Sequence, residues 1–343
     1  MPGWGALLVP RDSYEQIVGL ARALEGWGFS SFWCADEKYY KDCYIGLTLV
    51  ASQTARMRLG PCVIDPYSRH PIQTAVSIGS LTDIAPGRVC LGLGAGGRGL
   101  PEMGIVPRRP AVALKEAIEI LRALLRGETV DFQGQVISLK ERALDFRPRG
   151  EIPIMVATGH GKRIQELAGE LADLAMVANY STPATISAAV RRVERGAERV
   201  GRSLKDLQLI ARVDVAVSQD GTQARRAVAP RILSAFRASY PDLGYLDDLP
   251  HFALSSEFLS ALNAKDYASK AYYADPDHSA DLIPDVLTDN MAIAGTPEEV
   301  AAKLRDISKM NLFAEVTLCA APCKSQTLFE AFEVLAHDVI PRV

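Results

Sequence analysis

The sequence predicts an α/β protein closed as a (β/α)8 TIM barrel with insertions, and three observations carry that expectation. Short apolar segments alternate with amphipathic helical ones, eight such pairs can be counted, and 343 residues suit a barrel carrying insertions. Regular β–α alternation means parallel strands joined by helical crossovers. Eight units close most economically on themselves, with the site at the carboxyl ends of the strands. An open, doubly wound sheet is the competing arrangement for the same pattern.

The first strand is GALLVP (5–10), followed by a helix that Asp12 or Ser13 caps and on which Ile17, Leu20, Ala21 and Leu24 recur at helical spacing. Gly26 and Gly28 end that helix, and SSFWCAD (30–36) is the second strand. Residues 44–55 suit a helix, RLGPCVI (58–64) is the third strand, and Pro71 opens a helix over 72–84. VCLGLGA (89–95) is the fourth strand, followed by a long helix from Pro110 to Leu125. The alternation of VDFQGQVISL (130–139) around Gly134 predicts an outer hairpin. IPIMVA (152–157), LAMVAN (174–179) and LQLIARVDVAVS (207–218) are strands five to seven, with helices through Leu171 and over 184–200.

From about 225 to 290 the rhythm breaks around Pro230, Pro241, Pro250, Pro276 and Pro284. A stretch this long is read as a helical insertion between the seventh and eighth strands, a lid on a single domain spanning 1–343. Phe236, Tyr240, Tyr245 and Phe252 in it either line an apolar cavity or pack the lid onto the barrel. A helix from Thr296 to Met310 with a T-x-x-E start, the strand AEVTLCA (314–320) and a helix over 326–337 close the chain.

A composition of 48% hydrophobic and 23% charged residues can bury a large core, and a net charge of −3 gives no general basic field for nucleic acid or anionic membrane. No apolar run reaches the ~18–20 residues that span a bilayer. The start, MPGWGALLVP, has no basic segment ahead of an apolar one, so no signal peptide is expected. Cys34, Cys43, Cys62, Cys90, Cys319 and Cys323 are scattered, which suits reduced thiols and a cytoplasmic protein. A zinc site through Cys319 and Cys323 lacks partners at suitable spacing, so no metal is expected.

Four stretches carry candidate chemistry. CLGLGAGGRG (90–99) satisfies G-x-G-x-x-G, but no helix start follows it, so a dinucleotide fold is disfavoured. Its glycines, Gly94 and Gly96 among them, are read as ending a strand and leaving room for a flat ring. In IMVATGHGKRIQELA, Thr158, Gly159, His160, Gly161 and Lys162 open a helix after the fifth strand, where amides, hydroxyl and ammonium would hold a phosphate. In DPYSRHP (65–71), Arg69 and His70 add polar reach to a stiff loop. ADEKYYKD (35–42) places Asp36 and Glu37 directly after the second strand, a position that favours a role in the site. Asp83 and Arg88 are expected to bridge a structural turn.

Together, WGALLVP, FWCADE, LGPCVIDPYSRHP, SLTDIAPGRVCLGLGAG, ATGHGKRIQELAGELADLAMVAN and AGTPEEVAAKL resemble, in that order, the luciferase-like flavin-dependent oxidoreductases. Within that superfamily the chain is most similar to the branch dependent on coenzyme F-420 that includes methylenetetrahydromethanopterin reductases. The resemblance implies a dimeric or tetrameric barrel, a small-molecule substrate, and hydride transfer between the F-420 ring and that substrate. It also implies a non-prolyl cis peptide on the third strand, by position Cys62–Val63, with Ile64, Asp65, Asp36, Gly94 and Gly96 beside the coenzyme and its phosphate toward Thr158–Lys162.

Two positions depart from the family pattern. Leu7 stands where methanopterin reductases carry a glutamate, and Asp36–Glu37 stands where several F-420-dependent dehydrogenases carry Asp-His. An acid–base group is therefore sought among Glu37, Asp36 and His70. An FMN-dependent monooxygenase of the same superfamily, and a barrel that binds ligand without catalysis, are the competing functional readings.

Overall fold

The computed structural model describes residues 1–96, 99–159, 161–239, 247–249, 255, 256, 258 and 280–343. Eight parallel strands form the barrel: β1 (Gly3–Leu8), β2 (Ser31–Cys34), β3 (Arg58–Pro61), β4 (Leu91–Leu93), then β7 (Ile154–Thr158), β8 (Leu174–Ala178), β9 (Gln208–Val217) and β11 (Glu315–Ala320). The hairpin is β5 (Val130–Gln133) with β6 (Ser138–Arg142), and β10 (Ala292–Gly295) is a strand that the sequence pattern did not announce. The order β3-β2-β1-β11-β9-β8-β7-β4 is parallel throughout. Bridges Leu59↔Val89 and Ile64↔Leu93 join β3 to β4 and complete the circle. The barrel, not the open sheet, is the fold.

The helices start where the local chemistry favours it. Helix α1 (Tyr14–Gly26) has a Ser13–Gln16 capping box, so Ser13 rather than Asp12 is its cap, and α2 (Cys43–Gln53) is capped by Asp42. Helices α3 (Pro71–Leu81), α4 (Pro110–Leu125) and α6 (Pro183–Arg199) each begin with a proline, whose missing N–H costs nothing in a first turn. Helix α5 (Lys162–Leu171) begins at Gly161, and α7 (Gly221–Ser239) carries Pro230 in its interior. Helix α8 (Asp285–Met291), α9 (Pro297–Lys309), opened by a Thr296–Glu299 capping box, and α10 (Leu328–Val334) complete the layer.

Between β9 and β11 the described residues hold α7, α8, β10 and α9. Strand β10 pairs with Asp214 to Val217 of β9, while β11 pairs with Ile210 to Val215. Both strands flank Asp214 and Val215, so β10 takes the edge of β9 that β8 occupies lower down. The remaining part of the insertion expected over 225–290, with Tyr240, Tyr245 and Phe252, lies outside the described residues. Phe236 is buried against Phe258, which makes it a packing residue of this segment.

One main core fills the space between barrel and helices, and a separate cluster fills the lumen. Trp33, Cys90, Met155, Leu174 and Ile210 belong to the lumen cluster, with Leu7, Met176 and Cys319. Glu315 is buried at the amino-terminal end of β11 and accepts from the Ser31 hydroxyl, the Trp33 indole and the Thr317 hydroxyl at 2.7, 3.0 and 2.6 Å. No described helix is long and apolar enough to cross a membrane. The six cysteines are unpaired.

The turn expected to join Asp83 to Arg88 is built differently. Asp83 pairs with Arg149 at 2.9 Å, whereas Arg88 donates to Thr54 Oγ1, Met57 O and Ala51 O. Arg88 thereby serves backbone acceptors at the end of α2, which a turn carboxylate would have drawn it away from.

Candidate functional site

At the carboxyl ends of the strands the described residues enclose a cavity of about 1130 Å³. Its wall takes Leu7 from β1, Asp36, Glu37 and Lys38 from the loop after β2, and Cys62, Val63 and Asp65 from the segment after β3. Gly94, Ala95 and Gly96 follow β4, Gly159 and Gly161 follow β7, and Arg212 and Asp214 lie on β9. The barrel therefore gathers most of the sequence candidates into one space.

The segment between β3 and β4 explains the glycines. The Cys62–Val63 peptide is cis, as the family resemblance implied. A Cβ on Gly92 would meet Pro61 O at 2.2 Å, and one on Gly94 would meet Val63 Cγ2 at 2.5 Å. The room these glycines leave is thus filled by the Pro61–Val63 bulge itself, which corrects the expectation that a bound ring fills it directly. The wall that results, Gly94–Ala95–Gly96, projects nothing larger than a methyl. Burial in the lumen pushes the Cys62 thiol up to about 12, against the pull of nearby Arg212, so it stays a neutral wall group, 3.6 Å from Met176 Sδ.

Charged residues at the mouth are tied to one another. Asp36 receives Arg69 Nε and Nη2 at 3.0 and 3.1 Å, and the Cys43 thiol at 3.5 Å. Arg69 Nη2 also reaches Asp42 at 2.6 Å. Hydrogen bonding to Asp36, set against burial, holds the Arg69 guanidinium more firmly protonated than usual. Asp65 accepts Lys38 Nζ at 2.6 Å, the amides of Tyr67 and Ser68 at 2.9 Å each, and the Ser68 hydroxyl at 2.7 Å. Burial would raise Asp65, but Lys38 and these donors hold its carboxyl below the usual range. Asp36 and Asp65 line the cavity and also shape the loops, because their carboxylates are taken up by Arg69 and by Lys38 with the Tyr67 and Ser68 donors. Ile64 is buried in the main core, so its contribution is the backbone pairing with β4.

His70 is placed elsewhere. It caps α3, Nδ1 facing the Ile72 amide at 3.3 Å and Nε2 lying 3.1 Å from Ser138 O on the hairpin. With both nitrogens facing backbone, it is not among the described residues lining the cavity. Of the three acid–base candidates, Glu37 and Asp36 line the cavity, and Asp36 is paired with Arg69.

In the loop expected to hold a phosphate, Gly159 and Gly161 line the cavity and the first-turn amides of α5 have no intrahelical acceptor. Thr158 instead turns its hydroxyl to Met176 O at 3.1 Å and is fully buried. Lys162 pairs with Asp247 at 2.8 Å, and His160 lies outside the described residues. Arg212, Asp214 and Arg231 also face the cavity. The reading of the sequence missed them, although an arginine and an aspartate on the inward-facing period of an otherwise apolar strand was a visible signal.

A closed barrel with its cavity at the strand ends, lined by glycines and fixed ion pairs, defines a (β/α)8-barrel enzyme. The family model of luciferase-like monooxygenases matches residues 2–312. The chain belongs to this luciferase-like family and is an oxidoreductase. It is 30% identical to the 5,10-methylenetetrahydromethanopterin reductase of Archaeoglobus fulgidus over 99% of both chains. Among solved structures, the coenzyme F-420-dependent tetrahydromethanopterin reductase of Methanopyrus kandleri superposes with a TM-score of 0.82 at 25% identity, covering 99% of both chains. An F-420-dependent secondary alcohol dehydrogenase shares the fold, with a TM-score of 0.78 at 18% identity over 100% of this chain and 99% of that one.

Proposed function

We propose that this chain transfers a hydride between coenzyme F-420 and a small organic substrate bound in the same cavity. The observation that carries the reading is the wall Gly94–Ala95–Gly96, which projects nothing larger than a methyl, in one cavity with the uncapped start of α5. A flat ring fits the first, and a phosphate fits the second. Residues 62, 63 and 94–96 would hold the ring, and Gly159 and Gly161 with the first-turn amides of α5 would hold the phosphate. Lys162 joins them by exchanging its exposed partner Asp247 for the anion.

When bound, the coenzyme supplies a two-electron hydride carrier. The protein's part is to position both partners, exclude water from the lumen, and hold a proton at the substrate's heteroatom. Glu37 is the group assigned to that proton, because it lines the cavity directly after the carboxyl end of β2. Glu37→Gln is expected to lower kcat by at least about a hundredfold; an unchanged kcat removes Glu37 from this role.

The experiment that tests the function is titration of the purified chain with F-420 and with FMN, followed by fluorescence. Tight F-420 and weak FMN binding support the reading. The reverse favours the FMN-dependent monooxygenase, and binding of neither overturns both. Unpaired cysteines agree with a cytoplasmic protein. A homodimer or homotetramer is expected, and light scattering measures it.

A further inference from the structure

We infer that the substrate of this site carries a carboxylate, held by Arg212 and Arg231 over Asp214; the word substrate rests on the function proposed above. Arg212 projects from β9 into the lumen, where its neighbours are otherwise apolar or sulfur-bearing. Its Nη1 donates to Asn179 Oδ1 at 2.6 Å and its Nη2 to Asp214 Oδ1 at 2.8 Å. The side chains of Arg212 and Asp214 are only 15% and 5% exposed. Arg231, from α7, approaches the same Asp214 oxygen at 3.5 Å, donates to Cys319 Sγ at 3.0 Å and to Ala320 O at 2.6 Å.

Two guanidiniums, Arg212 largely buried and Arg231 26% exposed, thus share one buried carboxylate, which leaves one positive charge uncompensated within this cluster. Desolvation makes that imbalance costly unless a ligand supplies the missing charge. A guanidinium has five N–H donors in a planar fork, more than the bonds to Asn179, Asp214, Cys319 and Ala320 use. The fork matches a carboxylate, and a monoanion balances one net charge where a phosphate dianion would exceed it. The acidic residues on the loop after β2 stand across the mouth, with β1 and β11 between β2 and β9. Cys62, Gly94 and Gly96 line the same cavity as Arg212 and Arg231, so an anion held here shares one space with the wall assigned to the coenzyme ring.

The test is calorimetric titration of the full chain with benzoate, benzamide and phenyl phosphate, each with and without F-420. Benzoate is expected to bind more tightly than both others. Arg231→Met, which leaves Arg212 and Asp214 balanced, should weaken benzoate by about tenfold to a hundredfold, and Arg231→Lys should weaken it less. Asp214→Asn should tighten anion binding and move the preference toward phenyl phosphate. Benzoate no tighter than benzamide, benzoate binding unchanged in Arg231→Met, or phenyl phosphate preferred by the natural chain would each overturn the inference. Displacement of F-420 by benzoate would assign the arginines to the coenzyme and overturn it as well. If F-420 fails to bind while benzoate binds through Arg231, the proposed function falls and the anion site stands.

Discussion

Arg69 grips both carboxylate oxygens of Asp36, Nε to Oδ2 at 3.0 Å and Nη2 to Oδ1 at 3.1 Å, and the same Nη2 extends to Asp42 at 2.6 Å. One planar side chain thereby joins the loop after β2, the cap of α2 and the loop before α3. Arg69→Lys keeps the charge but loses the fork. It is expected to lower stability by about 1–2 kcal/mol and to weaken coenzyme binding with it, read by urea unfolding and by titration. An unchanged coenzyme affinity would show that the loops hold their places without the fork.

Gly94→Ala brings a methyl to 2.5 Å from Val63 Cγ2. Overpacking of about 1–3 kcal/mol moves the bulge. Affinity for coenzyme should fall about tenfold while circular dichroism stays that of the natural chain. Gly92→Ala, which meets the Pro61 carbonyl, should instead lower the unfolding midpoint, since backbone cannot rotate away.

Asp248 is 6% exposed and pairs in bidentate fashion with Arg192 on α6. Arg192→Met leaves that carboxylate buried without its main partner and should cost about 3 kcal/mol. A cost below about 1 kcal/mol in urea unfolding would mean that the 247–249 segment detaches from α6 without consequence for the barrel.

Glu116, buried on α4, accepts the amides of Gln135, Val136 and Ile137 at 2.6, 3.0 and 2.9 Å. Burial pushes its carboxyl up, but the three donors overrule it and hold the folded-state value below the usual range. A depressed value contributes stability above the unfolded pKa, about 4.3, and loses it as pH falls through the folded one. The stability gap between the natural chain and Glu116→Gln should therefore be full at neutral pH and close below about pH 4. A gap independent of pH would contradict this.

Much of the barrel was legible because each strand and helix states itself within a few residues. Thr296 and Glu299 announce α9 three positions apart, and the alternation around Gly134 announces the hairpin. Strand β10 escaped, since four apolar residues between two helices carry no period of their own. The site was half legible. Positions after strands are local facts, so Glu37 and Gly161 fell where expected. Partners are not local: His70 was engaged by a hairpin 68 residues away, Lys162 by a carboxylate 85 residues away, and Thr158 by the neighbouring strand.

The order of apolar periods, caps and turn glycines determined by itself that this chain alternates eight strands with helices, with its working face at the strands' carboxyl ends, because backbone hydrogen bonding and side-chain burial repeat over short distances; closure into a barrel rather than an open sheet needed the pairing of β3 with β4. Which charged groups remain available at that face was decided only by tertiary structure. Closing the barrel sets Arg69 against Asp36 and Arg231 beside Arg212, and in a site shielded from water the nearest opposite charge governs what each of them can do.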